Sequence, residues 1–337
     1  MAVEIKQIEY ALPKQKITNA DLEKEHPEWD IAKIEKKSGV HSRYIAASNE
    51  TAFDLSTVAC EKLLSNSDIE KNSINGIIFC TQSPDYIMPP NSFLLHAYLG
   101  ISEHVFAFDY NLACSGYIYG LAMAKALIEA HVVRNVLLVN GDTYSKYINS
   151  RDRSTRILFG DAAAVSFICD SGSTKSGFID MEFSSSGKSF DTFYIPAGGC
   201  RIPKSKDTAL EIKDASGSIR SQENIHMNGF SVWHFISKVV PLQINRLLER
   251  NSIAISDVDL FVFHQASKLT LDSLVKVLGI PKNKMFINLD RVGNCVSASI
   301  PIALKDAETE GRLKKGDLVL LSGFGVGLSW GTAVIRY

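Results

Sequence analysis

Two kinds of apolar run alternate along this chain. From Thr51 to Leu64 the apolar residues Phe53, Leu55, Val58, Ala59 and Leu63 recur with helical periodicity, which predicts an amphipathic helix. The run Ile74-Asn75-Gly76-Ile77-Ile78-Phe79-Cys80 is short and nearly continuous, as expected of a buried strand. A short helix is predicted over Phe93 to Leu99, and a phenylalanine-rich strand over Val105 to Phe108. Good helix formers follow from Tyr117 to Ala130. The next strand, Asn135 to Val139, is expected to end at Asn140-Gly141-Asp142. Short apolar strands between helices predict an α/β fold with mostly parallel sheets.

The second half repeats this order. Asp109 precedes Cys114 by the interval that separates Asp290 from Cys295. A helix is predicted after each, over Gly116 to Ala130 and over Ser299 to Glu308. Each helix leads to a strand, Val136-Leu137-Leu138-Val139 or Leu318-Val319-Leu320-Leu321, that runs to a glycine, Gly141 or Gly323. Upstream, Ile77-Ile78-Phe79-Cys80-Thr81-Gln82-Ser83 parallels Phe261-Val262-Phe263-His264-Gln265-Ala266-Ser267. Matches in one order point to an internal duplication, and two packed halves would bring equivalent loops to one central site. The polar, turn-rich stretch from Ser171 to Ser176 suggests halves of 1–172 and 173–337. The polar stretch from Gly198 to Glu223 is expected to be a surface excursion or a lid.

Composition removes several function classes. At 337 residues the chain can bury a large core, and its formal net charge of −1 offers nothing to nucleic acid or to an anionic membrane. No apolar run suits a membrane span, and Met1-Ala2-Val3-Glu4-Ile5-Lys6 has no hydrophobic signal core, so a cytoplasmic protein is expected. The six cysteines are scattered and form neither a disulfide framework nor a metal-ligand spacing. There is no phosphate-binding glycine loop, so a nucleotide cofactor has no support.

Cys114 lies in Asn111-Leu112-Ala113-Cys114-Ser115-Gly116-Tyr117, between a predicted strand and a predicted helix. The amides and dipole at a helix N-terminus favour a thiolate, so Cys114 is a candidate nucleophile; the other reading is a buried core cysteine. His264, in Phe263-His264-Gln265-Ala266-Ser267, and Asn294, in Arg291-Val292-Gly293-Asn294-Cys295, also follow predicted strands. Alone, the histidine reads as structural and the asparagine as a turn residue.

Together with the glycine-rich stretch Gly323-Phe324-Gly325-Val326-Gly327-Leu328-Ser329-Trp330-Gly331, this ordered set resembles the β-ketoacyl-acyl-carrier-protein synthase III family of the thiolase-like superfamily. The resemblance covers nearly the whole chain. It implies a thiolase-like α/β fold of two duplicated halves in a layered αβαβα core. It also implies a ping-pong decarboxylative Claisen condensation of an acyl-coenzyme A primer with malonyl-acyl carrier protein. The products would be a 3-oxoacyl-carrier protein, carbon dioxide and coenzyme A. Cys114 would carry the acyl group, because sulfur makes a second thioester close in energy to the first. The backbone N–H groups of Cys114 and Val326 would form the oxyanion hole. His264 and Asn294 would hold the enolate as two hydrogen-bond donors.

Further assignments come from the same resemblance. No permanently bound cofactor or metal is implied; the thioesters of coenzyme A and of carrier-protein phosphopantetheine are substrates. Trp29 and Arg153 resemble residues that sandwich adenine, and Gly229, Ala266 and Ser267 fall in the coenzyme A-binding set. Ser267 stands where relatives carry an asparagine, and Leu269 replaces an arginine of the carrier-protein docking patch, with Lys268 beside it. Met88 matches a position that reaches across a homodimer into the partner's acyl pocket. Cys295 reads as a small packing residue. A specialised starter synthase and a non-decarboxylating acyltransferase of the same fold remain alternatives. A cysteine hydrolase and a non-catalytic scaffold are further readings, against which the strand–turn–helix context and the intact residue set argue.

Overall fold

The computed structural model describes residues 2–172 and 176–337. The boundary expected between 172 and 173 borders residues 173–175, which lie outside the described residues. Two sheets carry the fold. The first has five strands in the order Val3–Ala11, Ala162–Asp170, Asn135–Asp142, Gly76–Cys80, Phe106–Tyr110. The second has four, in the order Leu260–Phe263, Leu318–Gly325, Ser329–Arg336, Gly177–Ser185.

Period-two alternation sets the layers. Ile78, Val136 and Leu138 point to a central core shared with Val262, Val319 and Leu321 of the other sheet. Their neighbours Ile77, Phe79, Leu137 and Val139 point outward, under the helices Ala52–Ser65 and Asn91–Leu99. Phe261, Phe263 and Leu320 likewise face the outer helices Gly229–Arg250 and Lys268–Leu278. Between the sheets run Gly116–Glu129 and Ser299–Thr309, whose Ile118, Leu121, Ile300 and Leu304 are fully or almost fully buried. The result is a layered αβαβα core. Strands buried on both faces need continuous apolar sequence, which is why they were visible as runs.

The sheets are mixed rather than mostly parallel. Gly76–Cys80 pairs parallel with both Phe106–Tyr110 and Asn135–Asp142, whereas Ala162–Asp170 pairs antiparallel with its two neighbours. In the second sheet Leu260–Phe263 and Leu318–Gly325 are parallel, and the two remaining ladders are antiparallel. The turn between Gly325 and Ser329 is too short for a crossover, so those strands must run antiparallel. The two sheets follow one plan of parallel and antiparallel neighbours. The counterpart of Phe106–Tyr110 is reduced to a single parallel bridge, Phe261 to Met285.

The strand Asn135–Asp142 ends within the expected Asn140-Gly141-Asp142, whereas Leu318–Gly325 continues past the expected end at Gly323. Gly323 marks a close approach rather than a stop: a β-carbon there would lie 2.8 Å from the Cys114 carbonyl oxygen. The polar excursion at 198–223 contains a small hairpin, Ile212–Lys213 with Ile219–Arg220.

Candidate active site

Cys114 sits in the turn between the edge strand Phe106–Tyr110 and the buried helix Gly116–Glu129. The Asp109 carboxylate fixes the approach. It accepts hydrogen bonds from the Asn91 and Ser92 N–H groups at 2.7 and 2.8 Å, and so caps a helix whose N-cap residue is Pro90. Cys114 is nearly buried and packs with Tyr144, Phe159, Phe193 and Ile225. It opens on a cavity of about 90 Å³ that is also lined by His264 and Asn294. Residues far apart in the chain thus share one small, mostly apolar space.

His264 follows the strand Leu260–Phe263, and its backbone N–H donates to the Ser322 carbonyl at 2.8 Å. Its ring stands edge-on to Phe324, 5.8 Å between centroids, and Nδ1 is buried with no hydrogen-bond partner among the described residues. Asn294 is held by the other half of the molecule. Its N–H donates to the Leu158 carbonyl at 2.9 Å, and its carbonyl accepts from the Gly160 N–H at 3.0 Å. The Val296 N–H donates to its side-chain oxygen at 3.0 Å, while the side-chain nitrogen faces the Ala266 carbonyl at a long 3.5 Å. A donor on one side and an acceptor on the other fix the amide's orientation. The N–H₂ group is therefore the end presented to the cavity.

Charge is expensive here. Burial pushes the Cys114 thiol well above its ordinary pKa, and the nearby Asp142 carboxylate adds to the effect. The thiolate preference expected from the helix N-terminus is outweighed by desolvation, and the Cys114 side chain rests as a thiol. Burial lowers His264 to about 3, so its ring is neutral at every physiological pH. Burial raises Asp142 to about 7, against hydrogen bonds from Gln82 and Ser297 that lower it.

The other expected residues divide. Gly229, Ala266 and Ser267 line the cavity shared by Cys114, His264 and Asn294. Ser267 is also a helix N-cap, its hydroxyl accepting from the Thr270 N–H at 3.3 Å. Val326 packs beside Cys114 and lines an adjoining cavity of about 360 Å³. Trp29 and Arg153 line neither cavity. The Trp29 indole is buried on Leu22, Ile31 and Ile157, and one face is covered by His26 at 3.9 Å and 9°. Arg153 donates to the Ser216 carbonyl at 2.9 Å. Met88 is 79% exposed, outside the core and outside both cavities. Leu269 is exposed, and Lys268 pairs with Asp272 at 2.6 Å. Cys295 is buried, its thiol 3.4 Å from the Val292 carbonyl, in an apolar cluster away from the cavity. Among the described residues no group of three or more His, Cys, Asp or Glu could hold a metal ion.

A polar network beside the site, buried at Asp142, Tyr144 and Ser297 and exposed at Asn111, has no local sequence signature. The Asp142 carboxylate accepts from the Gln82 N–H at 2.8 Å and from the Ser297 hydroxyl at 2.6 Å, joining the two halves. Gln82 in turn donates to the Asn111 side chain at 2.7 Å and accepts from the Tyr144 hydroxyl. Only the tertiary fold brings these residues together.

Two mixed sheets around two buried helices, with Cys, His and Asn on one cavity, define a thiolase-like protein. Comparison narrows the class. Residues 108–187 match the family model for 3-oxoacyl-[acyl-carrier-protein] synthase III, and residues 248–337 match the model for its C-terminal part. The β-ketoacyl-[acyl-carrier-protein] synthase III of Symbiobacterium thermophilum is 36% identical over 97% of this chain and 96% of its own. That of Caldanaerobacter subterraneus is 35% identical, over 97% and 95%. A crystal structure of a 3-oxoacyl-(acyl-carrier-protein) synthase III superposes with a TM-score of 0.97 at 39% identity, covering 100% of both chains. The chain belongs to the 3-oxoacyl-acyl-carrier-protein synthase III family.

Proposed function

We propose that this protein is a condensing enzyme that joins an acyl group from coenzyme A to malonyl-acyl carrier protein. One observation carries the roles: Cys114, a neutral His264 and an oriented Asn294 amide line one cavity. In the first half-reaction the Cys114 sulfur attacks the acyl thioester. The thiol proton ends on the departing coenzyme A sulfur, so one thioester replaces another. The Cys114 and Val326 N–H groups face the tetrahedral oxyanion. In the second, the malonyl thioester loses carbon dioxide. Its enolate oxygen is held by His264 Nε2–H and the Asn294 amide, and the enolate carbon attacks the acyl-cysteine carbonyl. The carbon–carbon bond forms as the acyl–sulfur bond breaks, and the released Cys114 sulfur takes up one proton from water. A histidine with a pKa of about 3 donates without delivering a proton that would quench the carbanion. Asn294 argues against a non-decarboxylating acyltransferase, which needs a general base more than a second enolate donor.

The protein acts as a homodimer in this reading. Phe106–Tyr110 is an edge strand, and Ile87, Met88, Phe93 and Phe106 beside it are exposed, at 99%, 79%, 51% and 44%. An unpaired edge flanked by apolar side chains invites a second copy, which would receive Met88. Gly229, Ala266 and Ser267 flank the path of the pantetheine arm. Trp29 and Arg153 would meet adenine only after His26 and Ser216 release them. Halves of 1–172 and 173–337 arising by duplication account for the common sheet plan. The unpaired cysteines fit a reducing, cytoplasmic setting.

The test follows both half-reactions. Incubation with acyl-coenzyme A should add an acyl mass to Cys114, and addition of malonyl-carrier protein should then release carbon dioxide and a 3-oxoacyl product. Cys114→Ser should abolish the mass shift. Acylation without carbon dioxide release would favour the acyltransferase.

A further inference from the structure

We propose that the acyl group carried by Cys114 bears an oxygen substituent, recognised by the polar array Gln82–Asn111–Tyr144. This inference rests on the reading of Cys114 as the acyl-carrying residue.

The cavity of about 360 Å³ beside Cys114 is lined by Gln82, Asn111, Tyr144, Phe193, Ile225 and Val326, among others. It adjoins the nucleophile by several routes. Asn111 lies in the same turn as Cys114, and Phe193 lines both this cavity and the catalytic one. Tyr144, Phe193, Ile225 and Val326 pack in one cluster with Cys114. An acyl chain leaving the sulfur away from the coenzyme A path has this space to enter. Its size lies in the usual range of small-molecule sites.

The walls differ in chemistry. Phe193 and Ile225 make an apolar side, which suits an alkyl segment. The same cavity is also lined by a hydrogen-bonded chain that ends at exposed Asn111. The Tyr144 hydroxyl donates to the Gln82 side-chain oxygen, and the Gln82 side-chain nitrogen donates to the Asn111 oxygen at 2.7 Å. Gln82 is fixed from behind, where its backbone N–H donates to buried Asp142 at 2.8 Å. The array does not use up its own capacity. The second amide hydrogen of Gln82, the amide hydrogens of Asn111 and the lone pairs of the Tyr144 oxygen have no partner among the described residues. A purely alkyl chain would displace water from these groups and pair none of them. A hydroxyl or carbonyl on the chain satisfies them. Sites built to hydrogen-bond a substrate oxygen discriminate against its absence far more strongly than apolar pockets discriminate a methylene.

The test uses ester pairs that exchange a hydroxyl for a methyl: 3-hydroxybutyryl- against isovaleryl-coenzyme A, and lactyl- against isobutyryl-coenzyme A. The rate of the Cys114 mass shift is measured for each with the full-length protein. In at least one pair the hydroxy ester should acylate about tenfold faster or more. Gln82→Leu and Tyr144→Phe, each retaining side-chain shape, should bring that ratio to about one or below. Equal or faster acylation by the apolar ester in both wild-type pairs overturns the inference, as does a ratio that both variants leave unchanged. The wild-type ratio stands even where a variant does not fold. Acylation with an apolar preference defeats this inference alone. Failure of every ester to acylate Cys114 defeats the underlying reading and this inference with it.

Discussion

A β-carbon placed on Gly325 would lie 2.8 Å from the Cys114 β-carbon and 3.1 Å from its sulfur. The strand Leu318–Gly325 therefore reaches Cys114 with no side chain between them. Gly325→Ala should push the turn and the Val326 N–H away from the acyl oxyanion. Acylation of Cys114 should slow by about 100-fold or more, as when an oxyanion donor is lost, and overpacking should cost about 1–3 kcal/mol. Stopped-quench mass spectrometry and urea unfolding read the two effects separately. An acylation rate within about twofold of wild type would remove Gly325 and Val326 from the oxyanion site.

The amide of Asn294 is oriented by the Val296 N–H at 3.0 Å, which leaves its N–H₂ group for the cavity. Asn294→Asp keeps the acceptor toward Val296 and loses the donors. Acylation should stay within about threefold of wild type, while carbon dioxide release from malonyl-carrier protein should fall by about 100-fold or more. Equal loss in both half-reactions would instead assign the Asn294 side chain to holding the segments around Ala266 and Val296.

Cys114 and His264 were legible because each follows an apolar run that ends abruptly. Asn294, expected after a strand, follows the short helix Leu289–Val292, and only the ordered motif set marks it. Parallel neighbours such as Gly76–Cys80 and Phe106–Tyr110 deliver their following loops to one side of the sheet, so loop residues converge. What stayed illegible depends on tertiary neighbours. Nothing near Trp29 in sequence says that His26 stacks on it. Gly323 looked like a strand end because a glycine required by close packing and one required by a turn share one letter. Asp142 and Ser297, in hydrogen-bond contact, lie in different halves, so no local pattern announces their pairing. One missed signal was available: Ser267 before the apolar run of Lys268–Leu278 marks an N-cap.

Burial and Asp142 hold Cys114 as a thiol in the resting protein. Site-resolved alkylation by iodoacetamide, read by peptide mass spectrometry, should therefore modify exposed Cys200 before Cys114 at pH 7.5. The Cys114 rate should climb about tenfold per pH unit through pH 9 without a plateau. A plateau near neutrality would show a stabilised thiolate and make the helix N-terminus the stronger influence.

His264 makes stability depend on pH with a definite sign. Its folded pKa of about 3 lies below the unfolded value of about 6.5. Between those values the unfolded chain binds a proton that the folded chain refuses, so stability falls as pH falls. From pH 7 to pH 5 this residue alone should remove about 2 kcal/mol of unfolding free energy. Asp142 acts in the opposite direction, because its folded pKa is raised to about 7, so the total slope does not isolate the histidine. The difference between wild type and His264→Gln does. Urea unfolding at both pH values should show wild type losing about 2 kcal/mol more than the variant. A variant with the same pH dependence as wild type would mean that the folded ring takes up its proton near 6.5. Decarboxylation would then lose its neutral donor in mild acid, and the acid limb of its rate profile should move with it.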